Sequence, residues 1–459
     1  MAHSWYAIRR RLLLAGVALL LLQNMLIASD HADPIDLTRW KPLEPVITDL
    51  FVFPVDQDGK SIRRFERTDD VSLKTPGVEK RQELTKEEKE REQIKSLIVI
   101  VCVRRALTKT DSLNLEPYHY LIHMDTRSPV SFDDTPPDRA QKNREVQAGG
   151  GYQPLFDAKV KRPTGQEARA RYGGSVEKPE KISDDILIQI TLKNDATLDK
   201  MSVIRGLKDA APDRIIVGQR APDEISIWTG VRDDPFIFPA FFKTNVVAMV
   251  LSIPLDRFEA TPETLLVWAT SHKGEDQIDH VGRSLRTQNP RFDLLNTLPP
   301  SEHVAALQAA HENPNLMRDL FLRFNLNQLV AFREWDFVPD VMIYSPRFEV
   351  GFPNGRLLED DVAALLAQHG DTLLLELSHS NAQWPRRTAN DKEFSSEFPY
   401  LAAPWPDREP PKPYQLTTRT RLILIAIGVF VLLILFLAAW KFLQIVRWLL
   451  GFKPRPTYQ

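Results

Sequence analysis

Seven short runs of apolar and β-branched residues recur along the chain and read as β-strands. They are Val46 to Phe53, Leu97 to Val103, Tyr118 to Met124, Ile186 to Leu192, Ile225 to Trp228, Val246 to Ile253 and Leu265 to Thr270. Side chains of this kind fit a pleated, half-buried surface, and turn-forming residues bound most of the runs. His303 to His311 and Leu316 to Val330 instead place apolar residues at helical spacing, and Asp360 to Gln368 reads as a short helix after a turn. Thr85 to Lys95 is almost entirely Glu, Lys, Arg and Gln, a solvated helix or an insertion with no chemistry implied. The pattern predicts a mostly β protein with peripheral helices, α+β being the alternative, arranged as a β-sandwich-like domain.

The pattern also carries an internal echo. Asp49-Leu-Phe-Val-Phe53 leads to the strand at 97–103 and then to Leu121-Ile-His-Met-Asp125. Later, Asp234-Pro-Phe-Ile-Phe238 leads to Val246–Leu251 and then to Leu265–Trp268. Two related β-rich halves are the expectation, with chance likeness between aromatic strands as the competing account.

Both ends break from this pattern. Arg9, Arg10 and Arg11 precede the apolar run Leu12–Leu22, and Leu26-Ile-Ala-Ser29 follows, so residues 1–29 read as an export signal cut after Ala28 or Ser29. An uncleaved signal anchor is the alternative. Leu422 to Trp440 carries no charge over 19 residues. Hydrocarbon leaves a backbone amide no partner but its own helix, so this stretch predicts one spanning helix, with the lipid bilayer as its partner. Lys441, Arg447, Lys453 and Arg455 after it favour a cytoplasmic tail over 441–459. The expected organisation is a signal segment (1–29), an exported domain (30–403), a Pro-rich spacer (404–421), the span (422–440) and the tail. Within the domain, 60–95 reads as a charged insertion and 136–180 as a polar surface excursion. The main domain would then be periplasmic or extracellular.

Composition changes this picture little. Hydrophobic residues make up 43% and charged residues 26%, an ordinary globular balance. The net charge of -2 gives no basis for nucleic-acid binding. Cys102 is the one cysteine, so the fold has no internal disulfide and no Cys-based metal site, and a small buried strand residue is its expected role.

Several blocks together resemble the bacterial domain-of-unknown-function family numbered 4331. They are Ser29-Asp-His-Ala-Asp-Pro34, Ile47-Thr-Asp-Leu-Phe-Val-Phe53, Tyr120-Leu-Ile-His-Met-Asp125 and Gly230-Val-Arg-Asp-Asp-Pro-Phe-Ile-Phe238. Asn245 with its strand, Val267-Trp-Ala-Thr270, Gly351-Phe-Pro-Asn-Gly-Arg-Leu-Leu-Glu-Asp-Asp-Val362 and Phe398-Pro-Tyr-Leu401 follow in order. The likeness spans about residues 29 to 403 and implies a secreted, mostly β protein without an established activity. Residues 60–95 depart from it as an insertion, Asp125-Thr-Arg-Ser-Pro129 replaces an acidic loop, and the C-terminal anchor is an addition.

Two constellations carry candidate chemistry. His31, Asp33 and Asp36 cluster near the mature start, while Asp49, His123 and Asp125 occupy strand positions. His31, Asp33, Asp49, His123 and Asp125 would suit a divalent metal, calcium or zinc, if the fold converged them. In a strand His119, His123 and Asp125 share a face. The competing account has His31 pinning the N-terminus and Asp49 capping a turn. Arg232, Asp233 and Asp234 form the second cluster, either a ligand site or a turn in which the acids pair with Arg232. Asn354-Gly355 reads as a turn without catalytic need, Asp56–Gly59 as another, and His303 and His311 as exposed histidines. No Gly-x-Ser-x-Gly elbow, P-loop, His-Glu-x-x-His or dinucleotide fingerprint occurs. The expectation is a non-enzymatic binding or structural ectodomain, open to other envelope proteins as partners. A metal-dependent hydrolase acting on an envelope or external substrate is the alternative.

Overall fold

The structure is a computed structural model that describes residues 46–62, 94–104, 113–132, 172–238, 241–284, 286, 290–312, 337–362, 365, 389–406 and 440–443. His31, Asp33, Asp36, the signal segment, nearly all of the predicted span and most of the 60–95 and 136–180 stretches lie outside these residues. So do Leu316 to Val330 and most of Asp360 to Gln368. No helix among the described residues is long and apolar enough to cross a membrane.

Thirteen strands are described. In chain order they are β1 (Ile47–Val55), β2 (Ser96–Val103), β3 (His119–Asp125), β4 (Val130–Ser131), β5 (Ser175–Val176), β6 (Ile186–Leu192) and β7 (Leu198–Arg205). They continue as β8 (Ile216–Val217), β9 (Ser226–Asp233), β10 (Asn245–Pro254), β11 (Leu265–Lys273), β12 (Asp276–Val281) and β13 (Met342–Tyr344). The helix α1 (Pro300–Glu312) lies where helical spacing predicted it. The protein is mostly β, as expected.

The first sheet runs β1-β2-β10-β9-β8 and the second β12-β11-β3-β6-β7, with β13 also pairing β11. β4 and β5 form a small ribbon apart. All pairings are antiparallel except β8 with β9. One apolar core takes residues from both sheets, including Ile100, Val250 and Ile227 from the first and Tyr120, Ile188 and Val267 from the second, in a sandwich-like arrangement. Each sheet centres on a long-range antiparallel pair, β2 with β10 and β3 with β11.

The sheets differ in how their faces are covered. Every residue of β1, β2 and β10 is buried. The face of β1 that bears Asp49, Phe51 and Phe53 meets two later segments: the Arg356 guanidinium 3.9 Å over Phe51, and the Tyr400 ring 5.7 Å from Phe53. In the second sheet, β6 alternates strictly between buried and partly exposed positions, and β3 nearly so. His119, Leu121, His123, Leu187, Gln189 and Thr191 thus face a side that solvent reaches.

Within the expected surface excursion, Tyr172 to Gly174, Val176 and Pro179 are buried, while Glu177, Lys178 and Glu180 are exposed. Val176 joins Ile182, Leu266, Trp268, Val341 and Ile343 in a satellite cluster. Cys102 is buried in β2, as its setting implied.

Candidate functional site

Asp49, His123 and Asp125 do not meet. Asp125 ends β3 as the acceptor of a tight turn: its Oδ1 takes the N–H of Arg127 (2.9 Å) and Ser128 (2.8 Å). Its Oδ2 takes the Ser128 hydroxyl (2.6 Å) and the Ser183 N–H (3.1 Å). Four donors use the carboxylate's acceptor capacity, which makes it a structural keystone. Among the described residues, no three His, Cys, Asp or Glu side chains form a group that could hold a metal ion.

Asp49 lies within a strand and caps no turn. It pairs with Arg356 at 3.3 Å, both side chains fully buried. Arg356 reaches it because Gly355 brings its backbone against β1: Val52 N donates to Arg356 O (3.2 Å) and Arg356 N to Val52 O (2.9 Å). Gly355 has φ +68°, and a Cβ there would stand 2.5 Å from the Val52 carbonyl oxygen, so the turn requires glycine. The Asn354 amide fills the loop, its Nδ2 donating to the carbonyls of Ser345 (3.0 Å) and Glu349 (2.9 Å). Arg356 also lies 5.7 Å from the Phe236 ring. The two echoing motifs, through Phe51 and Phe236, therefore meet at one guanidinium. Asp360, Asp361 and Asp234 are buried in the segments around it. Asp360 is tied to the N–H groups of Phe352 (2.7 Å) and Leu357 (2.8 Å).

Arg232, Asp233 and Asp234 separate, because alternation along β9 sends neighbours to opposite faces. The Arg232 guanidinium lies 4.1 Å over the Trp228 ring, not on the acids. Asp234 accepts from Phe236 N at 3.0 Å, a local turn. Asp233 reaches instead to the far C-terminal segment, accepting from Trp405 Nε1 (2.5 Å) and Asn390 Nδ2 (2.7 Å). Burial pushes its carboxyl up to about 6, and the neighbouring Asp391 pushes the same way.

The richest solvent-facing constellation is one that spacing alone half revealed. On the open side of the second sheet, His123 Nδ1 lies 2.7 Å from Asp184 Oδ2, and His123 Nε2 lies 2.9 Å from Thr270 Oγ1. The same hydroxyl lies 2.9 Å from His272 Nε2. Arg205 Nη2 donates to the other Asp184 oxygen at 2.6 Å. The rings stack in register: His123 on Trp268 and His119 on His272, both with centroids 5.1 Å apart. Burial works to raise the Asp184 carboxyl, but the hydrogen bonds and charges of His123 and Arg205 outweigh it and hold the group below the usual carboxylate range.

That sets a direction. The ionised Asp184 only accepts, so His123 donates from Nδ1. With His123 neutral, its Nε2 accepts the Thr270 hydroxyl proton, and Thr270 in turn accepts from His272 Nε2. Burial, with His119 and His123 nearby, lowers His272 to about 4, so it is neutral at ordinary pH. An Asp–His–hydroxyl chain has the connectivity of a nucleophile with its base, but Thr270 is only 2% exposed and already bonded at both sides.

A second histidine cluster is internal. His303, expected at the surface, is fully buried. Its Nδ1 accepts from Asp340 N (3.1 Å), its Nε2 lies 3.0 Å from Leu298 O, and its ring meets His280 edge-on with centroids 4.8 Å apart. Burial first and His280 second push His303 down to about 3. Asp340 accepts from the N–H groups of Arg283 (2.9 Å) and Gly282 (3.3 Å), which fastens β13's approach to the end of β12. Helical spacing placed His303 on α1, but the burial of that face follows from packing the sequence does not display.

Comparison of the chain with protein-family models, with curated proteins and with solved structures gives no match in any of the three.

Proposed function

We propose that this protein is a membrane-anchored extracytoplasmic protein whose β-rich domain binds or braces rather than catalyses. We further propose that it belongs to the unknown-function family its sequence blocks resemble. One observation carries the functional reading: the candidate acids and histidine among the described residues are closed by partners from their own fold. Asp125 has four donors, Asp233 has Trp405 and Asn390, Asp49 has Arg356, and the His123 chain runs through the buried Thr270 hydroxyl to His272. A reacting group needs an unsatisfied atom within reach of substrate. The open face of β3, β6 and β7 is the surface on which a partner would sit, other envelope proteins being the natural class. The bilayer is engaged through 422–440, with the Pro-rich 404–421 as spacer and 441–459 in the cytoplasm. Two related halves also belong to this reading, supported by the strand order: β1-β2 and β9-β10 flank the β2–β10 seam, and β6-β3 and β11-β12 flank the β3–β11 seam.

Fractionation with protease protection tests the placement. External protease should digest the domain and leave a tag on the C-terminal tail intact, and recovery of the whole chain in the soluble fraction would overturn the anchor. A metal-dependent hydrolase is the second reading: Asp49, Asp234, Asp360 and Asp361 are buried acids, although no three of the described acids and histidines form a group that could hold a metal ion. Metal analysis of the purified domain decides it. Stoichiometric calcium or zinc that is lost on His31→Ala or Asp125→Ala would replace the binding reading with this one.

A further inference from the structure

The register of β3 with β11 sets His119 directly opposite His272. Opposed residues of an antiparallel pair share a face and hold their Cβ atoms about 4.5–5.5 Å apart. Both side chains are partly exposed, and their rings lie 15° from parallel with centroids 5.1 Å apart. The two rings are held differently. His272 is fixed through Nε2, 2.9 Å from Thr270 Oγ1 on the same face of its own strand. Among the described residues, no hydrogen bond holds the His119 ring.

We propose that His119 and His272 form a two-histidine site for a divalent transition ion, with zinc as the ion it fits. The hydrogen-bond chain behind His272 prepares it as a ligand. His123 Nδ1 donates to Asp184, the Thr270 hydroxyl donates to His123 Nε2, and His272 Nε2 donates to Thr270. The His272 proton therefore sits on Nε2, and Nδ1 keeps its lone pair. A histidine ligand is commonly oriented in this way, its second nitrogen donating to a partner that fixes the tautomer and the ring. Burial lowers both imidazoles from their ordinary value, with Glu275 opposing it at His119 and the other two histidines reinforcing it at His272. Each is thus kept in the neutral form that a metal requires.

The spacing suits a shared ion. Two imidazoles on one tetrahedral zinc, each with a metal–nitrogen bond of about 2.0–2.1 Å, hold their ring centroids about 5 Å apart. Parallel planes do not aim both lone pairs at one point, so binding requires a turn of the His119 ring about χ2, a torsion with broad wells. The nearby charges are mixed. Glu275, in the turn after β11, acts electrostatically on His119, and a cation there gains from it. Lys273 is turned onto the Tyr118 ring, 5.5 Å away.

Two protein ligands are fewer than structural or catalytic zinc sites use, so the ion is held reversibly, with water in its other positions. This agrees with the lack of any three-ligand group among the described residues. The inference rests neither on the membrane anchor nor on the binding reading.

Calorimetric titration of zinc into the full chain in detergent, stripped of metal beforehand, tests the site. The wild type should bind one zinc more than His119→Ala or His272→Ala does. Thr270→Val removes the hydroxyl that orients His272 and should keep that zinc while weakening it about 10–100-fold. No zinc in the wild type, an undiminished count in either histidine variant, or an unchanged affinity in Thr270→Val would overturn the proposal. A zinc lost in His31→Ala or Asp125→Ala but kept in His119→Ala would overturn it as well, and would favour the hydrolase reading. Circular dichroism checks each variant first. Should one histidine variant fail to fold, the other decides alone, and should Thr270→Val fail, the two histidine variants decide.

Discussion

The two sheets share a core yet solve different problems. In the first, β2 lies between β1 and β10, and all three are buried on both faces, so their residues read as near-continuous apolar runs. In the second, one side stays wet, and β3 and β6 present His119, Leu121, His123, Leu187, Gln189 and Thr191 there. The polar groups differ accordingly. Asp49 and Arg356 are sealed together against the first sheet, both side chains fully buried. Asp184 and Arg205 meet on the second, where water shares the load: Arg205 is 50% exposed. A buried pair is therefore a fastener, and an open pair is a tuner of surface chemistry.

This contrast can be broken by experiment. Arg356→Ala breaks a fully buried ion pair and should cost about 3–5 kcal/mol, read by urea denaturation, whereas Arg205→Ala should cost less than about 1 kcal/mol. Comparable losses would erase the distinction between the sheets. Next in size, Ile100→Ala in the doubly covered β2 should cost about 2–5 kcal/mol, and Leu121→Ala on the open face under about 1 kcal/mol. Acid sharpens the comparison further. His303 is held neutral down to about 3, while in the unfolded chain it takes a proton near 6.5. Stability should fall as pH drops below 6.5, by at most about 1.4 kcal/mol per pH unit from this group, and His303→Gln should flatten that slope. The smallest effect belongs to Asp184. Its lowered carboxyl contributes stability above 3.8 that is lost as pH falls through the folded value. Asp184→Asn should therefore cost under about 1 kcal/mol at neutral pH, with the gap closing in acid. A gap that widened there would reverse the assignment.

How much the sequence reveals follows the same division. β6 matches its expected bounds, Ile186 to Leu192, because strict alternation is the signature of a strand with one wet side. β2 and β10 are legible from length and β-branching. β7 was missed: Asp199 and Lys200 sit in an edge strand whose pairing, not its composition, makes it β. β12 has no expectation in the sequence for a related reason: its edge pairing with β11 makes it β, and the Asp279 Oδ2 accepts from Ile47 N at 2.8 Å. The candidate sites were half visible. Periodicity put His119 and His123 on one face, but their partners Asp184 and Thr270 lie 61 and 147 positions from His123. Arg356 read as a turn residue because nothing local announces that Gly355 lays it against β1. Asp233 and Asp234 read as a pair, but β9 ends between them: Asp233 turns to Asn390 and Trp405, and Asp234 to Phe236 N.

The register of β1 has a consequence for the order in which the molecule can be made. Ile47 is tied to Asp279, 232 positions on, and Asp49 to Arg356, 307 positions on. An emerging chain carries this greasy strand without its final neighbours until more than three quarters of the residues have been synthesised. Contacts of such high sequence separation make folding slow, and the waiting strand is a target for aggregation or for a holding chaperone. β1 gains its last backbone bridge, Val52 with Arg356, only when the Gly355 loop arrives.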